Sequence, residues 1–577
     1  MTKKLIYIVF ILFGFVATAQ IPKQDVSADL SVFPKEKVAL SINSNVLLAG
    51  ELLQYEAFNL DAANKESKLS NILYVSLRNQ SDSIIFTHKL KVENGTANGD
   101  FFTPSILETG VYRLIGYTNF SRNNTNNAFV EKVIYIINSF VKTNIVKDTE
   151  EGAKLSLKAE SEINSSEKLS NNEAIQITTN KQSYGFREKV NLNLKSALEA
   201  RNGNYVLSVR NINPVAISNN SINEKKSSTS ETFYVPELRG ELVSGVVLST
   251  ENGNPAANKN VSLTIPGSDF VFKTAKTNAN GRFFFSVMAG YDAEKSIVQL
   301  IESEKNVVNY SLVMDKKDFT LGKSDTSVLK LDANLKDWLL ERSVQVQVEN
   351  AYFDTKKDSI LKNNINPAFY DNLGTVFLLD DYTRFPSVKE TFVEVVTLAA
   401  VRGAGADSRF IVNNEYDPNG VAKFNNLPPL VLMDGMEVQN NEDLVNYNAR
   451  EIKSIRVIIQ PYRYGHKIYS GIIAVETKKG DFVPRLSKNY VESIDLPPAV
   501  KKKKQYRADY GNKDTLSRIP DYRVQLLWQP NLTLSTENED LSFFTSDVSG
   551  KFEITLEGFT DEGKFVSIKE FFKVIEE

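Results

Sequence analysis

"LSINSNVLLAGELLQYEA", residues 40–57, reads as strand, turn, strand, and "ITTNKQSYGFREKVNLNL", residues 177–194, aligns with it without a gap. Asn43 falls on Asn180 and Glu51 on Glu188 at one common offset. Self-similarity at a fixed distance marks a repeated structural unit, so two sandwiches of similar plan are expected. Outward from these segments the chain continues as short alternating strands broken by Asn, Gly, Ser and Asp clusters. Examples are Lys37 to Ile42, Ile72 to Leu77, Val111 to Tyr117, Lys189 to Leu194 and Asn204 to Arg210. Helical period is scarce. It is clearest at Lys336 to Arg342 and at Ser387 to Val401, where Ser387 can cap and Glu390 stands three residues on. Linkers rich in Asn, Ser, Lys or Glu are expected at Asn119 to Asn127, Ser161 to Asn172 and Ser218 to Glu231.

The chain has 577 residues, of which 42% are hydrophobic, too many for a single core, so several domains are expected. Lys3 and Lys4, the apolar run Leu5 to Val16 and then Ala17-Thr18-Ala19 have the pattern of a secretory signal peptide over residues 1–19. Twelve apolar residues fall short of the roughly 20 that a membrane helix needs. The absence of Cys removes disulfides, thiolate metal sites and thiol nucleophiles together. With 68 basic and 71 acidic residues, no overall field favours nucleic acid or an anionic membrane surface. Lys501 to Lys504, after Pro497-Pro498, reads as a solvated linker.

Several segments resemble known families. "EKVALSINSNVLLAGELLQYEAF" through "KVENGTANGDFFTPSILETGVYRLIGYTNF" is similar to the macroglobulin-type β-sandwich of Bacteroidota envelope proteins. "GVVLSTENGNPAANKNVSLTI" with "TAKTNANGRFFFSV" resembles the carboxypeptidase regulatory-like sandwich. "PPLVLMDGMEV", "AREIKSIRVII", "YRYG" and "SGIIAVETKKG", in that order, are similar to the plug domain of TonB-dependent outer-membrane receptors, a small α/β domain that closes a 22-stranded barrel. "IPDYRVQLLWQPNL" with "FFTSDVSGKFEITLEGFTDEGK" resembles the closing sandwich of the same multi-domain proteins. A barrel of that size needs about 220 residues at about 10 per strand, and far fewer follow Gly480. Any pore is therefore expected to belong to a partner.

Catalytic constellations are thin. A protease trap of the macroglobulin kind needs a Cys-derived thioester, and Cys is absent. His88 lies in the alternating strand "IIFTHKLKV" and is expected to face solvent. His466, four residues before Ser470, suggests a nucleophile and base, but no Gly-x-Ser-x-Gly elbow surrounds that serine. "RGAGAD" from Arg402 lacks the third glycine of a dinucleotide loop and reads as a flexible connection after a helix. Asn278-Ala279-Asn280-Gly281 reads as a hairpin turn, not a calcium loop. No catalytic residue, cofactor or metal site is assigned, and no enzyme activity is expected.

Exposed aromatics and arginines carry binding energy, so the candidate partner-binding residues are Tyr462, Arg463, Tyr464, Asp434, Tyr382 and Arg384, with plain core packing the competing reading for any single aromatic. The expected fold is mainly β, with β-sandwich domains in series and one small α/β plug-like domain. Its units are a macroglobulin-type sandwich at 20–145, a small or partial second sandwich at 170–217 and a carboxypeptidase regulatory-like sandwich at 238–330. A connector at 331–402, the plug-like domain at 403–490 and a closing sandwich segment at 515–577 complete it. The resemblances imply an exported binding scaffold that associates with the outer membrane by docking on an integral β-barrel protein. An adhesion or structural envelope protein is the alternative.

Overall fold

The computed structural model describes residues 33–576 except 125–127, 142–151, 159–173, 220–232, 268–269, 289, 302–306, 317–320, 322–327, 362–366, 414–426, 466, 481, 483–488 and 512–517. The signal-peptide segment, the linker at Ser161 to Asn172, most of that at Ser218 to Glu231, and His466 lie outside the described residues.

The first sandwich is built from β1 (Glu36–Ile42), β2 (Val46–Leu48), β3 (Leu52–Asp61), β4 (Ile72–Arg78), β5 (Ile84–Lys91), β6 (Thr96–Phe102), β7 (Gly110–Tyr117) and β8 (Val130–Ile137). Its two sheets run β1-β3-β6 and β2-β8-β7-β4-β5. Val38, Leu40, Leu53, Tyr55 and Ala57 meet Leu73, Val75, Leu77, Leu114 and Ile134 between them, as two-residue periodicity requires.

The chain continues through β9 (Gly152–Leu157), β10 (Ile175–Thr179), β11 (Ser183–Tyr184), β12 (Lys189–Ser196), β13 (Asn204–Asn211) and β14 (Val215–Asn219). A third sandwich follows: β15 (Glu241–Ser249), β16 (Asn260–Ile265), β17 (Val271–Lys276), β18 (Arg282–Val287), β19 (Lys295–Leu300) and β20 (Tyr310–Met314). Next come β21 (Val328–Leu331), α1 (Lys336–Ala351) and β22 (Ser359–Ile360). The α/β unit holds β23 (Thr375–Leu378), α2 (Val388–Glu394), β24 (Ala399–Arg402), β25 (Arg409–Val412), β26 (Leu430–Met433), β27 (Met436–Glu437), α3 (Asn441–Val445), β28 (Ile452–Ile458), β29 (Tyr462–Tyr464), β30 (Lys467–Tyr469) and β31 (Ile472–Thr477). The chain ends with β32 (Val491–Asp495), β33 (Lys503–Lys504), β34 (Gln525–Leu532), β35 (Asn538–Phe544), β36 (Gly550–Phe559) and β37 (Phe565–Val574).

The second sandwich corrects the expected division. Its sheets run β10-β12-β35 and β11-β37-β36-β13-β34, so the segments read as 170–217 and 515–577 are two halves of one domain. Strand for strand, this is the order of the first sandwich, including the parallel pairs β2 with β8 and β11 with β37. The third sandwich and the α/β unit are inserted between its fourth and fifth strands. One core holds Tyr184, Leu192 and Leu207 together with Phe543, Phe552 and Phe572.

The quoted repeat is real at atomic detail. Asn43 Oδ1 accepts from Gln54 N at 3.0 Å, and Asn180 Oδ1 from Asn191 N at 2.9 Å. Glu51 Oε2 accepts from Leu48 N, and Glu188 Oε2 from Gly185 N. Gly50 and Arg187 occupy the same step with positive φ, 95° and 55°.

Other expectations shift as well. The third sandwich recruits β32 into the sheet β17-β16-β19-β32. The Asn278 turn forms, with Gly281 N donating to Asn278 O, but it crosses between the two sheets instead of closing a hairpin. The connector at 331–402 divides: α1 packs on the first sandwich, whereas β23 and α2 belong to the α/β core with Phe377, Phe392, Val431, Ile455 and Val475. Ser387 caps α2 as expected, accepting from Glu390 N, but the helix ends at Glu394. The β-branched run Val395-Val396-Thr397 disfavours its continuation, and β24 pairs with β25. Arg402 to Asp407 is the tip of that β24–β25 hairpin, so it follows a strand and not a helix.

Lys501 to Lys504 is solvated as expected, with Lys501, Lys502 and Lys504 exposed, but it is not a free linker. Lys501 pairs with Asp292 at 3.0 Å, Lys502 with Glu93, and Lys503 with Asp100 at 2.6 Å, tying this strap to the first and third sandwiches.

Candidate functional site

The aromatic cluster read from the sequence is a joint between domains. Tyr464 on β29 packs its ring 5.1 Å from Phe272 and 4.4 Å from Phe369. Its hydroxyl donates to the Phe272 carbonyl, and burial pushes that hydroxyl up to about 12. Tyr462 lies 5.7 Å from Phe369. Phe272 stands on β17, so these tyrosines hold the α/β unit against the third sandwich, and Arg463 between them is exposed.

Asp434 is buried, with φ +48°, which corrects its reading as a surface contact. Its Oδ1 accepts from Thr477 N at 2.7 Å, and its Oδ2 from Thr477 Oγ1 at 2.6 Å and Phe482 N at 3.0 Å. Gly435 beside it has φ +81°, and a Cβ there would lie 2.0 Å from the Phe270 ring. Only glycine fits this close approach. Arg384 is likewise structural: Nη1 donates to Ile452 O at 2.6 Å and Nε to Asp380 at 3.0 Å. That hydrogen bond holds the Asp380 carboxyl below its usual value. Tyr382 is exposed, and among the described residues no contact joins it or Arg384 to the Tyr462–Tyr464 hairpin.

His88 is half-buried, not solvent-facing. Its Nδ1 lies 2.6 Å from the Tyr55 hydroxyl and its ring 4.2 Å from that of Phe86. Burial first, and then the Lys503 ammonium, lower its pKa to about 4, leaving it neutral at pH 7. Ser470 is buried in the α/β unit. Among the described residues, no group of three or more His, Asp or Glu could hold a metal ion.

The first and second sandwiches meet face to face. Phe58 and Leu60 from β3 pack against Val206 and Trp528, while Glu56 is fully buried in the same sheet face. Burial pushes the Glu56 carboxyl up to about 8. Beside this contact is a buried ion triad: Glu51 binds Arg342 Nε of α1 at 2.6 Å and Arg210 Nη2 of β13 at 3.1 Å. Burial by itself raises the Glu51 carboxyl, but the two guanidiniums outweigh it and the net shift is downward. Burial, with repulsion from Arg342, lowers Arg210 to about 10, so it too stays charged at pH 7. One carboxylate thus joins two sandwiches and a helix. Lys89 does the same between the first and third sandwiches, reaching Glu241 at 2.6 Å and the Tyr291 hydroxyl at 2.5 Å.

Next to the triad a cleft of about 870 Å³ opens between the first sandwich, the outer face of the second and the three-stranded sheet β14-β9-β21. Ser41, Asn45 and Lys132 contribute one wall, Ser208, Thr555 and Glu557 the floor, and Lys158 with Val215 to Ile217 the far side. Ser41 donates to Glu557 and Lys569 pairs with Glu553 at 2.9 Å, so these carboxylates are satisfied. Sequence reasoning missed this cleft because its walls come from separate segments, each an ordinary strand. The one local signal was the Asn43–Glu51 turn, whose residues lie at its edge.

No protein-family profile and no curated protein sequence matches this chain. Solved structures that the chain is similar to include trypsin-activated alpha-2-macroglobulin from Escherichia coli, at 10% identity and TM-score 0.23, covering 94% of this chain and 41% of that one. The native E. coli alpha-2-macroglobulin gives 11% identity and TM-score 0.24, covering 94% and 40%. The Yersinia pseudotuberculosis adhesin InvE gives 10% identity and TM-score 0.13, covering 48% and 57%. The chain thus spans about two-fifths of the length of the macroglobulins it matches. At these identities and TM-scores the matches say nothing of activity, and what stands on the chain's own strands is a mainly β protein built of sandwiches with one α/β unit.

Proposed function

We propose that this chain is an exported, non-enzymatic scaffold that docks on an integral outer-membrane β-barrel protein. The observation that carries the reading is an apolar face left open where α1 meets the first sandwich. Phe102, Ile106, Phe140 and Val141 project from the sandwich, and Leu340 and Val344 from α1, with Ile106 82% and Leu340 64% exposed. They adjoin because Ser139 Oγ meets Ser343 Oγ at 2.9 Å, Asn138 Nδ2 donates to Ser105 O at 2.7 Å, and Asn350 Nδ2 donates to Gly50 O. Clustered exposed apolar side chains mark interaction sites. The ion pairs through Glu51 and Lys89 hold this face on a rigid support, which lowers the ordering cost of binding.

One further feature supports docking on a barrel over forming one: no sheet among the described residues exceeds five strands. The resemblance of residues 428–480 to a receptor plug names the partner class. Because Tyr464, Gly435 and Phe270 fasten that unit to the third sandwich, the reading has it stay outside the pore.

The test is native co-isolation. The chain is tagged after Glu577, outer membranes are extracted in mild detergent, and co-purifying proteins are quantified by mass spectrometry. A barrel protein at near-stoichiometric yield, lost in an Ile106→Asp/Leu340→Asp variant that keeps its circular dichroism and melting temperature, is expected. Recovery of the chain alone would overturn docking and favour the adhesion or structural reading.

A further inference from the structure

The cleft beside the Glu51 triad has features that its structural role leaves unused. β14 is the outer strand of β14-β9-β21. Lys158 N donates to Pro214 O at 3.0 Å, which sets the phase of the pair, so Pro214, Ala216 and Ser218 turn their backbone groups to β9. Ile217 therefore presents its N–H and C=O along the open edge, where Val215 to Ile217 line the cleft. Such an edge is a template for one more strand.

Two lysines share the cleft with that edge. Lys132 and Lys158 both line the cleft, and neither has a carboxylate partner among the described residues. Lys569 pairs with Glu553 and Arg210 with Glu51, and the Glu557 carboxylate, hydrogen-bonded by Ser41, offsets one of the two lysines. The surplus is positive, and the volume of about 870 Å³ sits in the range of about 300–1,000 Å³ usual for ligand clefts.

We propose that this cleft captures an extended acidic peptide segment of another protein, added as a strand beside β14 with its carboxylates on Lys132 and Lys158. Main-chain hydrogen bonds to Ile217 give the peptide its direction, and alternate side chains face the lysines or the half-buried Ile217 side chain. This site is separate from the apolar face around α1, so the two readings stand or fall independently.

The probe is a fluorescein-labelled, acetylated octapeptide alternating glutamate with valine, followed by fluorescence anisotropy against the full chain. Saturable binding is expected that weakens as salt rises and falls at least tenfold in Lys132→Glu/Lys158→Glu. Backbone N-methylation of the peptide at alternate residues tests strand addition without touching the protein: one phase abolishes binding and the other is tolerated. No saturation, saturation indifferent to the charge reversal, or equal tolerance of both N-methylation phases would each overturn the proposal. So would tighter binding of polygalacturonate than of the peptide.

Discussion

Replacing Glu51 by Gln tests whether one buried carboxylate locks the first sandwich to the second and to α1. The change keeps the side chain's length and removes its charge. At 2.6 and 3.1 Å from Arg342 and Arg210, each attraction is worth about 5–6 kcal/mol at an effective dielectric near 20, set against desolvation. Arg342 Nη2 and Arg210 Nε already lack partners, so the variant leaves two like charges buried with no anion between them. Breaking a buried pair in this way costs about 3–5 kcal/mol.

The protein supplies its own reporters. Of its two tryptophans, Trp338 on α1 packs into the cluster beneath that helix and Trp528 lies between the two sandwiches. In a Trp528→Phe background, urea unfolding followed through Trp338 should show its first transition about 1–2 M earlier in the Glu51→Gln variant, for a slope of about 2–3 kcal/mol/M. Glu188, the same turn position in the second sandwich, is the control. It faces solvent and pairs with Lys181, so Glu188→Gln should cost under about 1 kcal/mol. The acid limb adds a sign: because the folded-state pKa of Glu51 is lowered, its contribution is present above the unfolded value near 4.3 and fades as pH falls through the folded value. Glu51→Gln should lose that limb. A midpoint shift no larger than that of Glu188→Gln would refute the reasoning.

Four other outcomes follow from the same contacts. Glu56, pushed up to about 8, keeps its proton in the folded state between about pH 4.5 and 8, where the unfolded chain releases it. Stability should fall as pH rises through that window, by about 1.4 kcal/mol per unit at most, and Glu56→Gln should flatten the melting-temperature profile there. Ser387→Ala removes the cap of α2 and should cost about 1 kcal/mol in urea unfolding. Gly435→Ala meets both a positive φ and Phe270, and should cost about 2–4 kcal/mol, with faster proteolysis between the third sandwich and the α/β unit. His88 should titrate near 4 by NMR. Because that value lies below the unfolded one, its effect is a loss of stability as pH falls below about 6.5.

What was legible in the sequence was local. The turn that begins at Asn43 and returns at Asn180 depends on side chains bonding backbone a few residues away, so its spacing shows in the chain itself. Strand alternation and the Ser387 cap are local for the same reason, and the α/β segment could be singled out by order alone. Alternation says which face of a strand is buried, never which strand lies beside it. That is why β13 was read as part of a small sandwich and β34 as part of another, when they are hydrogen-bonded neighbours. Tyr464 and Asp434 were put forward as partner contacts because burial between domains leaves no mark on local pattern. The lysines of the strap are exposed as read, but their pairing was hidden because their acids, Asp292, Glu93 and Asp100, lie far away in sequence. The cleft between the sandwiches was invisible for that reason too. Its shape and surplus charge exist only once strands from both ends of the second sandwich have paired and closed it against the first.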